Sequence, residues 1–151
     1  MRPESVHSCH PGHYNRAMTR QPHTGTTPLH VSLVALPDAV ISTLSGIYDV
    51  MNAFALMEVS DNLPGGRPPF RVEIVGESAG PLALASGLPI TVQRTIDMLE
   101  TTDIVIVPSV LLPPGGWTKG RHPRLVDWLR RMHARGALLC SACSGIFLLA
   151  E

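Results

Sequence analysis

Cys143 is the side chain with the clearest chemical potential in this sequence. It lies in Ser141-Ala-Cys-Ser-Gly145, a run of small residues between two apolar stretches. Ahead of it, Ala137 to Cys140 follows Gly136 and reads as a short strand buried on both faces. Behind it, Ile146-Phe-Leu-Leu-Ala-Glu151 has helical composition. A strand, a sharp turn bearing one nucleophile-capable side chain, and then a helix form the layout of a nucleophile elbow. Small neighbours are needed there because the backbone folds tightly and other elements approach closely. A helix start beneath Cys143 would also present backbone N–H groups to an anion. The same spacing fits a buried strand-to-helix junction with two inert cysteines, and both readings stand. Cys140 and Cys143 also form a C-x-x-C pair. A thioredoxin-like dithiol places its first cysteine at an exposed helix start, whereas Cys140 falls within the strand, so a redox pair is disfavoured.

The other chemistry-bearing residues are more dispersed. His7, Cys9, His10 and His13 are close in sequence, but they sit in a tail with almost no aliphatic residues. No rigid element fixes their geometry, so no metal site is assigned. His30 opens a strand, His122 precedes Pro123 at a helix start, and His133 shares a helix with Arg130, Arg131 and Arg135. That arginine cluster reads as a solvated face in preference to a partner surface.

The elements that must position Cys143 follow from the hydrophobic pattern. Residues 1–28, rich in Pro, His, Thr, Arg and Gly, form a tail expected to be disordered; residues 29–151 form one domain. His30 to Leu36 is a strand ended by Pro37-Asp38. A helix spans about Val40 to Val59, with Ile41, Leu44, Ile47, Tyr48, Met51, Phe54 and Ala55 at three-to-four spacing. Asp38 is its expected N-cap, and Gly46 inside it suggests close packing. Asp61 to Pro69 breaks the chain before a second strand, Phe70 to Val75. Leu82 to Ala85 and Ile90 to Val92 read as a small hairpin. Asp103 to Val107 is another buried strand, followed by the loop Ser109 to Gly120. Pro123 then starts a helix through Arg135, with Leu125, Trp128, Leu129 and Met132 on one face and Gly136 closing it.

This alternation predicts an α/β fold: a mostly parallel, flavodoxin-like sheet with helices on both faces. In such sheets sites lie at the carboxyl ends of the strands. Asp38, the loop from Ser109, and the elbow residues Cys143, Ser144 and Gly145 are therefore expected at one edge.

Composition narrows the function. Of 151 residues, 44% are hydrophobic and 16% charged, which supports a proper core. Lys+Arg and Asp+Glu are 12 each, so this segment does not carry the broad basic face of a nucleic-acid binder. Three cysteines do not make a disulfide framework, which points to a reducing, cytoplasmic setting. No apolar run approaches the length of a membrane span, and the N-terminus lacks the apolar segment of a secretory signal. No motif calls for a cofactor.

Several segments carry a family resemblance. Leu139-Cys-Ser-Ala-Cys-Ser-Gly-Ile-Phe-Leu-Leu-Ala-Glu151, with the strand ending in Val107-Pro108, resembles the ThiJ/PfpI family and its class I glutamine-amidotransferase-like fold. Leu44-Ser-Gly-Ile-Tyr-Asp-Val50, Trp117 and His122-Pro-Arg-Leu-Val-Asp-Trp-Leu-Arg130 are similar to the amino-terminal domain of GlxA-type regulators of the AraC class. The resemblance covers about residue 30 to the end. It implies a domain that senses a small effector and forms a homodimer, with DNA bound through a C-terminal helix-turn-helix part that this chain does not contain. It also implies a histidine and further strands beyond Glu151, so the chain looks truncated at its C-terminus. In isonitrile-hydrating relatives an aspartate precedes the Leu-x-Gly of the first helix; here that position is Thr43. The family's Pro-Gly after the strand is Pro108-Ser109 here. The resemblance therefore implies ligand-facing positions at Asp38, Thr43, Ser109, Ser144 and Gly145 and leans away from catalysis. The alternative is a small cysteine-dependent hydrolase or hydratase with Cys143 as nucleophile.

Overall fold

In chain order the elements are β1 (Leu29–Val34), α1 (Ile41–Leu56), β2 (Phe70–Gly76), β3 (Gly80–Ala83), β4 (Pro89–Val92), β5 (Arg94–Thr95), β6 (Ile104–Val107), α2 (Pro123–Ala134), β7 (Leu138–Ser141) and α3 (Ile146–Leu149). The computed structural model describes residues 27–57 and 67–151. Most of the N-terminal tail, with His7, Cys9, His10 and His13, and most of the loop before β2 lie outside the described residues.

Five strands form one sheet in the order β5-β2-β1-β6-β7, and every neighbouring pair is parallel. β3 and β4 pair antiparallel as a separate hairpin. The chain steps from β1 through α1 to β2 in one direction, and from β6 through α2 to β7 in the other. Right-handed crossovers in opposite directions place α1 and α2 on opposite faces, giving a doubly wound, flavodoxin-like layout. The order reverses between β1 and β6, so the loops leaving those two strands border the crevice at the carboxyl edge.

The central strands are apolar because both of their faces are covered. Val31, Leu33 and Val34 of β1, Val75 of β2, and Val105 and Val107 of β6 are fully buried. α2 contributes Leu125, Val126, Trp128, Leu129 and Met132 to the core, the face its three-to-four spacing predicts, and its arginines are exposed. Gly136 closes α2 at φ +97°, the left-handed conformation that glycine adopts without steric cost.

Several expectations need correction. Asp38 does not cap α1: the N-cap is Val40, with no side-chain cap bond. Asp38 lies two residues too early, because Ala39 is held in an antiparallel bridge with Val110 before the helix begins. Gly46 serves no close packing, since a Cβ there would meet nothing within 4 Å. β7 is not buried on both faces. It pairs with β6 on one side only among the described residues, and Leu138 is 46% exposed. The hairpin starts two residues earlier than its apolar pattern suggests, because Gly80 and Pro81 pair with Val92 and Thr91. β5, two residues long, leaves no periodic trace in the sequence.

Leu33 lies at the centre of the sheet with no exposure, whereas Leu88 in the hairpin turn is 56% exposed. Leu33→Ala should therefore cost about 2–5 kcal/mol in urea unfolding, and Leu88→Ala should stay within about 0.5 kcal/mol of the parent.

Candidate functional site

The turn after β7 carries Cys143 at φ +48°, the only non-glycine residue with positive φ among the described residues. Side chains other than Gly and Asn/Asp rarely adopt this region, at a cost of roughly 1–2 kcal/mol, so surrounding structure must enforce it. Two contacts do. The Ala142 N–H donates to the Val107 carbonyl at 2.9 Å, and the Gly145 N–H to the Ala142 carbonyl at 3.0 Å. Cys143 is an exposed residue, Cys140 is half-buried, and both cysteines are free. A single 3-10 turn, Cys143–Gly145, precedes the four-residue α3.

Gly145 is required by contact. A Cβ there would lie 2.4 Å from the Pro108 carbonyl oxygen and 2.5 Å from that of Val107. Both are backbone atoms, which cannot rotate away. The elbow thus presses directly onto the end of β6.

Ser144 completes this junction. Its hydroxyl donates to the Val110 carbonyl at 2.7 Å and accepts from the Val110 N–H at 2.9 Å. The third contact, to Ser109 Oγ at 2.9 Å, must then have Ser109 as donor, because a hydroxyl holds one proton and two lone pairs. Ser144 is saturated. Beyond it, the Val40 N–H donates to the Ser109 carbonyl at 2.8 Å and the Leu111 N–H to the Asp38 carbonyl at 2.7 Å. The loops after β1, β6 and β7 are thereby joined at one edge. Thr43 lies half-buried in the first turn of α1, its N–H bonded to Val40. In the loop after β6 the Gly116 N–H is engaged by the Pro113 carbonyl at 2.9 Å.

The carboxylate of Asp38 has partners that sequence reasoning missed. Its Oδ2 pairs with Arg121 Nη2 at 2.7 Å and with His122 Nε2 at 3.3 Å, and all three side chains are largely shielded from solvent. Arg121 also lies over the Trp117 ring, 5.5 Å from its centroid, and Trp117 stacks on Phe147 at 6.3 Å. Glu151 holds the same loop: its carboxylate accepts from Trp117 Nε1 at 2.7 Å and from the Gly120 N–H at 2.9 Å. His122 therefore does more than start α2. An Arg-His pair ahead of Pro123, and a charged residue ending an apolar helix, were the available signals. Neither names its partner.

A cavity of about 230 Å³ opens beside this cluster, between the carboxyl ends of β1 and β2, the hairpin and the start of α2. Leu36, Glu77, Leu82, His122 and Leu125 are among the residues that line it. A larger, open cleft of about 450 Å³ lies around His30, Arg71, Arg94 and Arg135. It sits at the amino-terminal edge, away from the elbow. No group of three or more His, Cys, Asp or Glu among the described residues is placed to hold a metal ion.

The architecture is that of the DJ-1/ThiJ/PfpI fold. No family model and no curated protein sequence matches the chain. Solved structures do: an AraC family transcriptional regulator from Pseudomonas putida superposes with TM-score 0.60 at 18% identity, over 82% of this chain and 69% of that one. DJ-1beta of Drosophila melanogaster gives TM-score 0.62 at 17% identity, over 82% and 60%. A ThiJ/PfpI family protein from Pseudomonas syringae gives 0.57 at 21%, over 94% and 53%. The chain thus spans between about half and two thirds of the lengths of these structures. Both the fold and its occurrence in AraC-type regulators match the resemblance drawn from the elbow and the first helix.

Gly145→Ala should destabilise the domain by roughly 1–3 kcal/mol through overpacking. Ser144→Ala should cost a similar amount, because it leaves the Val110 N–H and carbonyl without their partner. Cys143→Gly should be no less stable than the parent, since relief at φ +48° offsets the added chain entropy. Denaturant titrations of the three variants check the set.

Proposed function

We propose that this domain is the effector-sensing and dimerising part of an AraC-type transcription regulator acting in the cytoplasm. Residues 29–151 supply the part of that domain seen in this chain. Cys143, Asp38, Thr43, Ser109, Ser144 and Gly145 form its ligand-responsive edge, and DNA is contacted by a helix-turn-helix part outside these residues. The observation that carries the reading is the joining of three loops at one sheet edge. Val110 bonds Ser144, Val40 bonds Ser109, and Leu111 bonds Asp38. A ligand that shifts one loop must shift the others, which is what a sensor needs to pass a small contact into the fold. The Pseudomonas putida regulator supports the reading by carrying the same fold. Val50 and Leu56 of α1 and Met57 just after it, all exposed, supply an apolar surface for a second copy. No helix of the described residues is long and apolar enough to cross a membrane.

A second reading, a cysteine-dependent hydrolase or hydratase, is favoured by the exposed Cys143 at a left-handed backbone position, the conformation of a nucleophile elbow. Against it, Asp38 is engaged by Arg121 and His122, and Thr43 offers no carboxylate.

Cys143→Ser separates the two. Under the sensor reading, a small molecule from a metabolite screen raises the unfolding free energy of the parent by about 2.7 kcal/mol at a hundredfold excess over Kd, and neither parent nor variant turns it over. Turnover of amides or isonitriles that disappears in Cys143→Ser would instead establish the enzyme. Sedimentation should show a dimer that Val50→Asp weakens at least tenfold.

A further inference from the structure

We infer that the cavity between β1, β2, the hairpin and α2 is a binding site for a small organic cation, an ammonium or amidinium group on a compact apolar body. The inference rests on the sensing reading for its purpose, but its chemistry is independent of Cys143.

Size and lining come first. At about 230 Å³ the cavity is smaller than the roughly 300–1,000 Å³ of drug-sized sites, so it suits a metabolite of a few carbons. Its wall is mainly apolar, from Leu36, Pro37, Pro81, Leu82 and Leu125 among others. The polar groups are few: Glu77, Ser78 and His122. A mostly apolar pocket with a small number of convergent polar groups is the usual form of a small-molecule site, and this one lies at the strands' carboxyl ends.

Charge selects the ligand. No Arg or Lys lines the cavity. The one ion-pair partner of Glu77 among the described residues is Arg124, at 4.0 Å, and Arg124 makes its close contact with Asp97 at 2.6 Å. Glu77 is thus a weakly compensated carboxylate on an apolar wall. Arg121 is paired with Asp38 next to His122, so its charge is matched within that cluster. A cation reaching Glu77 gains a charge-assisted hydrogen bond there, and an anion meets a like charge with no compensating donor of opposite sign. His122 also links the wall to Asp38, whose carbonyl accepts from Leu111 in the joined loops. Occupancy therefore has a short covalent and hydrogen-bonded route to the elbow edge.

Three probes of one shape test this: isopentylammonium, isopentanol and isovalerate, titrated into the full 151-residue chain with amide chemical shifts as the readout. Isopentylammonium should bind at least tenfold tighter than the alcohol, with isovalerate weakest, and the shifts should centre on Glu77 to Leu82 and His122. Glu77→Gln, isosteric and on a residue 38% exposed, should keep the fold and erase the preference for the ammonium over the alcohol. Leu82→Trp should block all three probes. Isovalerate binding as well as the ammonium, an unchanged preference in Glu77→Gln, or shifts centred on Cys143 would each overturn the site. The sensing reading fails separately: the ammonium would bind at Glu77 while the amides of Ser109 to Leu111 and Ser144 stay unmoved.

Discussion

The carboxyl edge of this domain depends on how closely the elbow approaches the end of β6. Two carbonyl oxygens, those of Val107 and Pro108, occupy the space a side chain at residue 145 would need. Only glycine permits that approach, and the approach puts Ser144 within reach of both backbone groups of Val110. Cys143 is then left at positive φ as an exposed residue. The exposed cysteine, the strained backbone and the saturated serine are three consequences of one packing constraint. Strain of this kind persists only where the surroundings over-determine the conformation, and here the bonds from Ala142 to Val107 and from Gly145 to Ala142 do so.

Electrostatics organise the neighbouring half of the edge. Asp38 is held at the end of the β1 segment, and the long loop after β6 returns Arg121 and His122 to it. Isolated surface ion pairs contribute little, about 0–1 kcal/mol. These three side chains are mostly shielded, however, and Arg121 is further fixed over Trp117. Glu151 tethers the same loop from the far side through Trp117 and Gly120. The loop from Ser109 to His122 is therefore pinned at both ends and in its middle, although Gly115, Gly116 and Gly120 all adopt positive φ. This rigidity gives the adjoining cavity a formed wall.

The two sheet edges differ in character. At the amino-terminal edge, His30 bonds Glu73 at 3.0 Å, its N–H takes the Asp103 carboxylate at 2.8 Å, and Thr102 accepts from Ser32 at 3.0 Å. These bonds satisfy polar groups where strands begin, including the fully buried Ser32. The carboxyl edge instead combines an exposed cysteine, a weakly compensated carboxylate and an apolar cavity. Buried polar groups are satisfied where the strands begin, and the exposed cysteine and the apolar cavity lie where they end, the usual place of a site in an open parallel sheet.

By itself the sequence determined every strand of the sheet except β5, the two main helices and the position of the turn that bears Cys143. Leu33, Val105 and Val107 lie in short aliphatic runs that only a sheet covered on both faces makes stable, and Leu125, Trp128, Leu129 and Met132 repeat with helical period. Those signals are local, because burial imposes its period on neighbouring residues of the same segment. Tertiary structure alone decided the rest. Gly46 and Gly145 look alike in a sequence, yet one faces open space and the other two carbonyl oxygens. Asp38 has the type and place of a helix cap, yet its partners are 83 and 84 residues away, at Arg121 and His122. Leu138 has the composition of a buried strand, yet it lies on a strand paired on one side among the described residues. A residue's type constrains which interactions it can make, and only the chain's return through the sheet determines which partner arrives to make them.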